Sequence, residues 1–232
     1  MDNLEGIIDK IEKQINDKDE ARERALRFSR TIIITCRKAI QKIHQNKYDE
    51  AKTLIKKASA SLAELYDSTK NFPDLYNAGF VENASQEFVE AHCLFNILQG
   101  KDLPDPDSIQ TTYTSYLTGL CDVVGELRRK ALDTILDGEQ KKAVEFLTIM
   151  EEIYDAVLRF DYPSSLVPIK RKQDIARGLV EKTRGELAVA SCEQRIEYRT
   201  DEFRGLLDKI NINTKSTNKK QIKKDLDLDR VV

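Results

Sequence analysis

Apolar residues recur along most of this chain at alternating steps of three and four. Over residues 74–99, Phe80, Ala84, Phe88, Ala91, Phe95 and Leu98 follow one another at steps of 4, 4, 3, 4 and 3, which puts them on one face of an amphipathic helix. Tyr113, Tyr116, Leu120, Val124, Leu127 and Ala131 repeat the rhythm over 107–137. Alternation with period two is never sustained. The five prolines cluster at Pro73, at Pro104 and Pro106, and at Pro163 and Pro168, where they interrupt helix and bias the preceding residue toward extended backbone. Polar Asn46-Lys47-Tyr48-Asp49 and the Asp137-Gly138 pair, a helix C-cap signal, add two more breaks. Six helices are therefore predicted, over about 4–45, 48–71, 74–99, 107–137, 139–160 and 165–200. The fold class is an all-α bundle, with antiparallel neighbours wherever connections are short.

The first helix raises a geometric question. Some 40 residues at 1.5 Å each span roughly 60 Å, against a radius of gyration of about 17 Å for a compact domain of this size. The helix either breaks near Asp17-Lys18-Asp19 or projects and packs on another subunit. The other end of the chain differs in kind: Lys209 to Lys224 carries six lysines and no acidic residue. We expect a helical domain over 1–205 and a flexible Lys-rich tail over 206–232, serving either to hold RNA or only to solubilise.

Composition narrows the function classes. With 34% charged residues and a mean hydropathy of −0.52, no stretch approaches the 18 or more apolar residues of a membrane span. Met1-Asp2-Asn3-Leu4-Glu5 is acidic where a secretory leader would be basic; the expected location is the cytoplasm. Only 9 Gly and 5 Pro argue against sandwiches and barrels. A net charge of −2 excludes a globally basic nucleic-acid binder, though not one with a local basic face. Cys36, Cys93, Cys121 and Cys192 are too widely spaced for a zinc knuckle or a redox pair and read as buried small hydrophobes. With His44 and His92 the only histidines, a His-rich metal site or a Ser-His-Asp hydrolase finds little support.

Acidic pairs stand out instead. Glu87 and Glu90 lie 60° apart at the border of the apolar face of their helix, the position of partly buried carboxylates. Asp122 and Glu126 are i, i+4 neighbours on the next helix. Gly119 shares their face and Gly125 lies near its edge. Each glycine costs about 1 kcal/mol relative to alanine inside a helix, which makes sense where something approaches closely. If the two helices pack face to face, four carboxylates surround one point, an oxygen-only donor set of the kind preferred by Mg²⁺ or Mn²⁺. A cation so held activates water and stabilises the leaving oxygen in phosphodiester cleavage. A di-iron bundle site needs Glu-x-x-His, but Val89 and Gln41 precede the two histidines by three.

The same residues resemble a known family. Leu26-Arg27-Phe28-Ser29-Arg30 resembles the opening segment of the Translin–Trax family, and Gln86-Glu87-Phe88-Val89-Glu90-Ala91 resembles the Trax-type QEYVEA motif. The run from Tyr116 to Arg128 is similar to the family's YLxGxxDLxGELxR stretch, and Leu136-Asp137-Gly138-Glu139 sits where the family has a Gly-Asp turn. The similarity covers about residues 24–200. It implies a seven-helix-type bundle that closes into a hollow oligomer, a hexamer or octamer, and binds single-stranded RNA or DNA. Trax-like members are metal-dependent endoribonucleases, whereas Translin-like members bind nucleic acid without the full acidic set. Glu87, Glu90, Asp122 and Glu126 match the Trax catalytic positions, so the resemblance implies that they are both catalytic residues and Mg²⁺ or Mn²⁺ ligands, with Glu90 or Asp122 orienting the attacking water. Phe88 departs from the motif's Tyr, and Arg128-Arg129 is more basic than the Trax pattern. Arg128, Arg129, Lys52, Lys56 and Lys57 are the expected phosphate contacts; the lysines also suit a solvated face. The expected function is that of a homo-oligomeric, metal-dependent endoribonuclease on single-stranded RNA. The alternatives are a non-catalytic nucleic-acid-binding oligomer and a structural helical adaptor.

Overall fold

The computed structural model describes residues 3–228, with side chains as far as residue 207. Among these there are seven helices and no strand: α1 (Leu4–His44), α2 (Tyr48–Thr69), α3 (Pro73–Tyr76), α4 (Gly79–Leu98), α5 (Tyr113–Leu136), α6 (Gln140–Leu158) and α7 (Lys170–Leu228). The chain divides into two compact units, Met1–Arg184 and Gly185–Val232.

Helix α1 runs unbroken through Asp17-Lys18-Asp19. It lacks Pro, and its one Gly lies in the first turn, so nothing interrupts the i→i−4 ladder. Its buried face begins only at Ala21 and continues through Ala25, Ser29, Ile32, Cys36, Ala39 and Ile43, a stripe at steps of three and four. Before that face, Leu4, Ile7, Ile8, Ile11 and Ile15 are exposed by 47% to 60%. A tight turn with Asn46 at φ +58° returns the chain into α2, which packs back along α1 as an antiparallel hairpin.

The predicted helix over 74–99 is interrupted. Pro73 starts the single turn α3, and extended Ala78 (ψ 145°) then separates it from α4. The helix expected from 107 starts at Tyr113 because Thr112, also extended, accepts a hydrogen bond from the Ser115 backbone N–H at 3.1 Å. This N-cap satisfies a donor that the first turn would otherwise leave unpaired. Tyr113, placed in the apolar stripe by its spacing, is 65% exposed. Between Asp137 and α6, Gly138 takes the left-handed conformation at φ +78°, as its C-cap position requires. In the last helix, Pro163 and Pro168 delay the start to Lys170.

Direction matters most between α4 and α5. Ser115 Oγ donates to Glu82 Oε2 at 2.5 Å, and Gln86 Nε2 donates to Asp122 Oδ2 at 2.6 Å. These contacts advance together along both helices, so α4 and α5 run parallel, with residues 99–112 returning the chain from the end of α4 to the start of α5. Antiparallel pairing holds across the short connections, as in α1–α2 and α5–α6. The parallel crossing is very close. A methyl group on Gly119 would lie 2.8 Å from Val89 Cβ and Cγ1 and 2.9 Å from the Gln86 carbonyl oxygen. What approaches this glycine is helix α4 itself. Gly125 meets no such neighbour; a Cβ there would be 3.8 Å from Leu179 Cδ1.

In the second unit the helix continues past the predicted end near 200 to Leu228. Val189, Ile196, Tyr198 and Phe203 are exposed on it, and Arg204 pairs with Asp201 at 3.6 Å. Most of the expected flexible tail, 206–232, lies beyond the described side chains, and residues 229–232 lie outside the described residues altogether. Cys36, Cys93 and Cys121 are buried, as expected of small hydrophobes, whereas Cys192 is exposed. No helix among the described residues is long and apolar enough to cross a membrane.

Candidate functional site

Because α4 and α5 run parallel in close contact, their acidic pairs come to one level of the bundle. Glu90 is their focus. Its carboxyl is pushed up to about 8, first by burial and then by the charges of Asp122, Glu87 and Glu126. Among the described residues Glu90 has no hydrogen-bond or ion-pair partner. Glu90 is thus within electrostatic reach of the other three carboxylates, and all are partly buried: Glu87, Asp122 and Glu126 have side chains 21%, 28% and 24% exposed.

Three of the four are compensated by side chains far away in sequence. Arg37 of α1 donates to Glu87 Oε1 at 3.1 Å. About two turns further along α1, His44 donates through Nε2 to Glu126 Oε2 at 2.5 Å, and this hydrogen bond holds the Glu126 carboxyl below its usual value. Lys172, in the first turn of α7, places Nζ 2.5 and 2.7 Å from the two oxygens of Asp122. Gln86 adds its amide to the same carboxylate. Cys36 lies on the α1 side; burial, followed by the charges of Glu87 and Glu90, keeps its thiol well above the ordinary range and hence protonated.

Of these partners the sequence offered only Gln86, through its motif. Arg37, His44 and Lys172 stand 50, 82 and 50 residues from the carboxylates they meet, and no local spacing marks them.

The predicted basic contacts are dispersed. Arg129 is at the rim, 3.9 Å from Glu126 and exposed. Arg128 turns instead to Thr183, donating to its hydroxyl at 2.8 Å. Lys52 and Lys56 line a separate cavity of about 360 Å³ between α2 and α4, with His92, Asn96 and Lys101. Lys57 is exposed on α2.

The chain matches the Translin family over residues 2–184. It belongs to the Translin family. Its relatives include the uncharacterized protein MJ0175 of Methanocaldococcus jannaschii, 33% identical over 189 residues that cover 81% of this chain and 82% of that protein. Among solved structures, AfC3PO, alone and in complex with duplex RNA, is similar with a TM-score of 0.74 and 31% identity, over 80% of this chain and 97% of the other. The structure of apo-NeC3PO shares the fold at 20% identity and a TM-score of 0.68, over 82% and 98% of the two chains. The Translin-family match spans α1 to α6 and the start of α7 up to Arg184, and thus every residue of the carboxylate cluster.

A divalent cation is compatible with this donor set. All four side chains offer hard oxygen ligands, and the partnerless Glu90 among three other carboxylates is a group whose ionised form a nearby cation would stabilise. As the side chains stand, no three Asp, Glu, His or Cys residues among the described ones converge tightly enough to hold an ion. Glu87, Glu126 and Asp122 are engaged by Arg37, His44 and Lys172, so binding would require these pairs to open.

Proposed function

We propose that this Translin-family chain forms a homo-oligomeric, RNA-binding shell whose carboxylate cluster cuts RNA with the help of Mg²⁺ or Mn²⁺. The observation that carries this reading is Glu90, partly buried, without a partner and electrostatically coupled to Asp122, Glu87 and Glu126. Carboxyl groups perturbed by burial and by neighbouring charges are concentrated at functional sites. A bound divalent cation would neutralise phosphate oxygens and lower the pKa of an attacking water. Glu90 and Asp122 would hold the cation and orient the water in this reading; Gln86 donates to the Asp122 carboxylate, Arg37 to Glu87, and His44 to Glu126. Arg129 at the rim, and Lys52, Lys56 and Lys57 on α2, are the proposed phosphate contacts. Their contribution should fall as salt rises.

RNA as the polymer is supported by the AfC3PO structure, which contains duplex RNA. Single strands are the proposed substrate because they give a metal site direct access to the backbone. Cleavage is tested with labelled single-stranded and duplex RNA in Mn²⁺, Mg²⁺ or EDTA, wild type beside Glu87→Ala/Glu90→Ala. Metal-dependent cutting of the single strand should disappear in the double variant. Equal cutting by both proteins would remove the assignment.

A binding-only reading has one observation in its favour: Asp122, Glu126 and Glu87 already have internal partners. It predicts salt-sensitive RNA binding with no metal-dependent loss of substrate.

Self-association is proposed to use the exposed apolar stripe of α1. Five large side chains at 47% to 60% exposure on three turns form a patch of the sort buried by a second copy. Ile8→Glu/Ile11→Glu is expected to reduce the mass measured by light scattering while leaving helix content unchanged; an unaltered mass would exclude this face.

A further inference from the structure

We propose that Lys172 is a tethered ammonium that holds the place of the divalent cation at Asp122 and must be displaced for the metal to bind. The inference rests on the divalent-cation reading of the same cluster and assigns a role to a residue outside the acidic motifs.

The geometry is that of an internal counter-ion. Lys172 Nζ contacts both Asp122 oxygens, at 2.5 and 2.7 Å, and Asp122 Oδ2 also accepts from Gln86 Nε2 at 2.6 Å. A carboxylate presents about four lone-pair sites, and here three are in use. An Mg²⁺ ion would sit about 2.0–2.1 Å from its oxygen ligands. It could not share the space of an ammonium that already spans both oxygens, and the two positive charges would repel each other. Occupancy by one disfavours the other.

Two further observations favour exchange over a permanent structural pair. Glu90 lacks a partner, yet it lies within electrostatic reach of both Lys172 and Asp122. Substituting a double positive charge for a single one at this point would serve Asp122 and Glu90 together. The pair is also open to solvent: the Lys172 side chain is 25% exposed and that of Asp122 28%. A flexible four-carbon stem with a strongly hydrated head is suited to swing out of such a position, where the planar, bidentate fork of an arginine would be harder to dislodge. Arg37, by contrast, grips a different carboxylate from α1 and need not move for Asp122 to be freed.

The test is a Mn²⁺ titration of the full-length protein without RNA, reading free Mn²⁺ by electron paramagnetic resonance. Wild type is compared with Lys172→Met and with Lys170→Met. The second variant makes the same change in net charge two residues away, where Lys170 meets exposed Asp161 at 3.2 Å. Lys172→Met should bind Mn²⁺ about tenfold more tightly than wild type, a difference of about 1.4 kcal/mol. Lys170→Met should remain within about twofold of wild type. Lys172→Gln, which retains a polar end group, replaces the methionine variant if that one does not fold. Unchanged or weaker affinity in the folded Lys172 variant, with Mn²⁺ still bound by wild type, would overturn the role of Lys172 alone. So would equal tightening in Lys170→Met, which would reduce the effect to net charge. Absence of bound Mn²⁺ in all three proteins would overturn the divalent-cation reading and this inference with it.

Discussion

Glu90→Gln should abolish metal-dependent RNA cleavage and, in the metal-free protein, raise stability. The two effects have one cause. Glutamine keeps the shape of the side chain but removes the charge that a cation needs, so cleavage should fall by at least about 100-fold. In EDTA the same charge is a liability. The Glu90 carboxyl stands at about 8 in the fold against 4.5 ordinarily, from burial and then the three neighbouring carboxylates. An acid raised in this way holds its proton more tightly when folded, so the protein loses stability as pH climbs from about 4.5 to about 8 and is flat in this respect above that. Glutamine never ionises and escapes the loss. The advantage of Glu90→Gln should be near zero at pH 4.5 and reach a few kcal/mol by pH 8, read as a rising difference in melting temperature. A variant no more stable than wild type at pH 8 would show that burial and the neighbouring carboxylates do not hold the Glu90 carboxyl at its raised value. Retained cleavage would remove it from the reaction.

The second large effect concerns a residue without a side chain. Gly119→Val should destabilise the protein by about 3 kcal/mol or more, at the upper end of overpacking costs. The new Cβ would fall 2.8 Å from Val89 and 2.9 Å from the Gln86 carbonyl oxygen. Val89 Cγ1 could yield by changing rotamer, but Val89 Cβ and the Gln86 carbonyl cannot move without taking α4 with them. The melting temperature should drop by about 10 °C. Because Gln86 and Glu90 move with α4, RNA cleavage should fall along with stability. Gly125→Ala is the matched control: its Cβ would meet only Leu179 Cδ1 at 3.8 Å, so the gain in helix propensity, up to about 1 kcal/mol, should appear as stabilisation. If Gly119→Val melted within 2 °C of wild type, α4 and α5 would not be as close as described.

Comparison of these two glycines shows how far sequence reasoning reaches. Both occupy helical positions where alanine would be preferred, and spacing alone treats them alike. Only the packing separates Gly119, which admits α4, from Gly125, which faces ordinary space. The carboxylates behave the other way. The three-and-four periodicity placed Glu87 and Glu90 at the edge of a buried face, and their partial burial follows directly from that.

What the order of residues determined by itself is everything governed by local rules. Apolar steps of three and four specify helices, prolines and Asp137-Gly138 end them, and i, i+3 or i, i+4 spacing puts carboxylates on common faces. The family motifs carry the same local information. Tertiary structure alone decided that α4 and α5 run parallel, since a 14-residue return can lead a chain to either end of its neighbour. With that direction set, the two acidic pairs fall level with each other. It also decided which cations meet them. Arg37, His44 and Lys172 approach from α1 and α7 across 50 to 82 residues of chain, and charge compensation acts through space, where separation along the sequence leaves no mark.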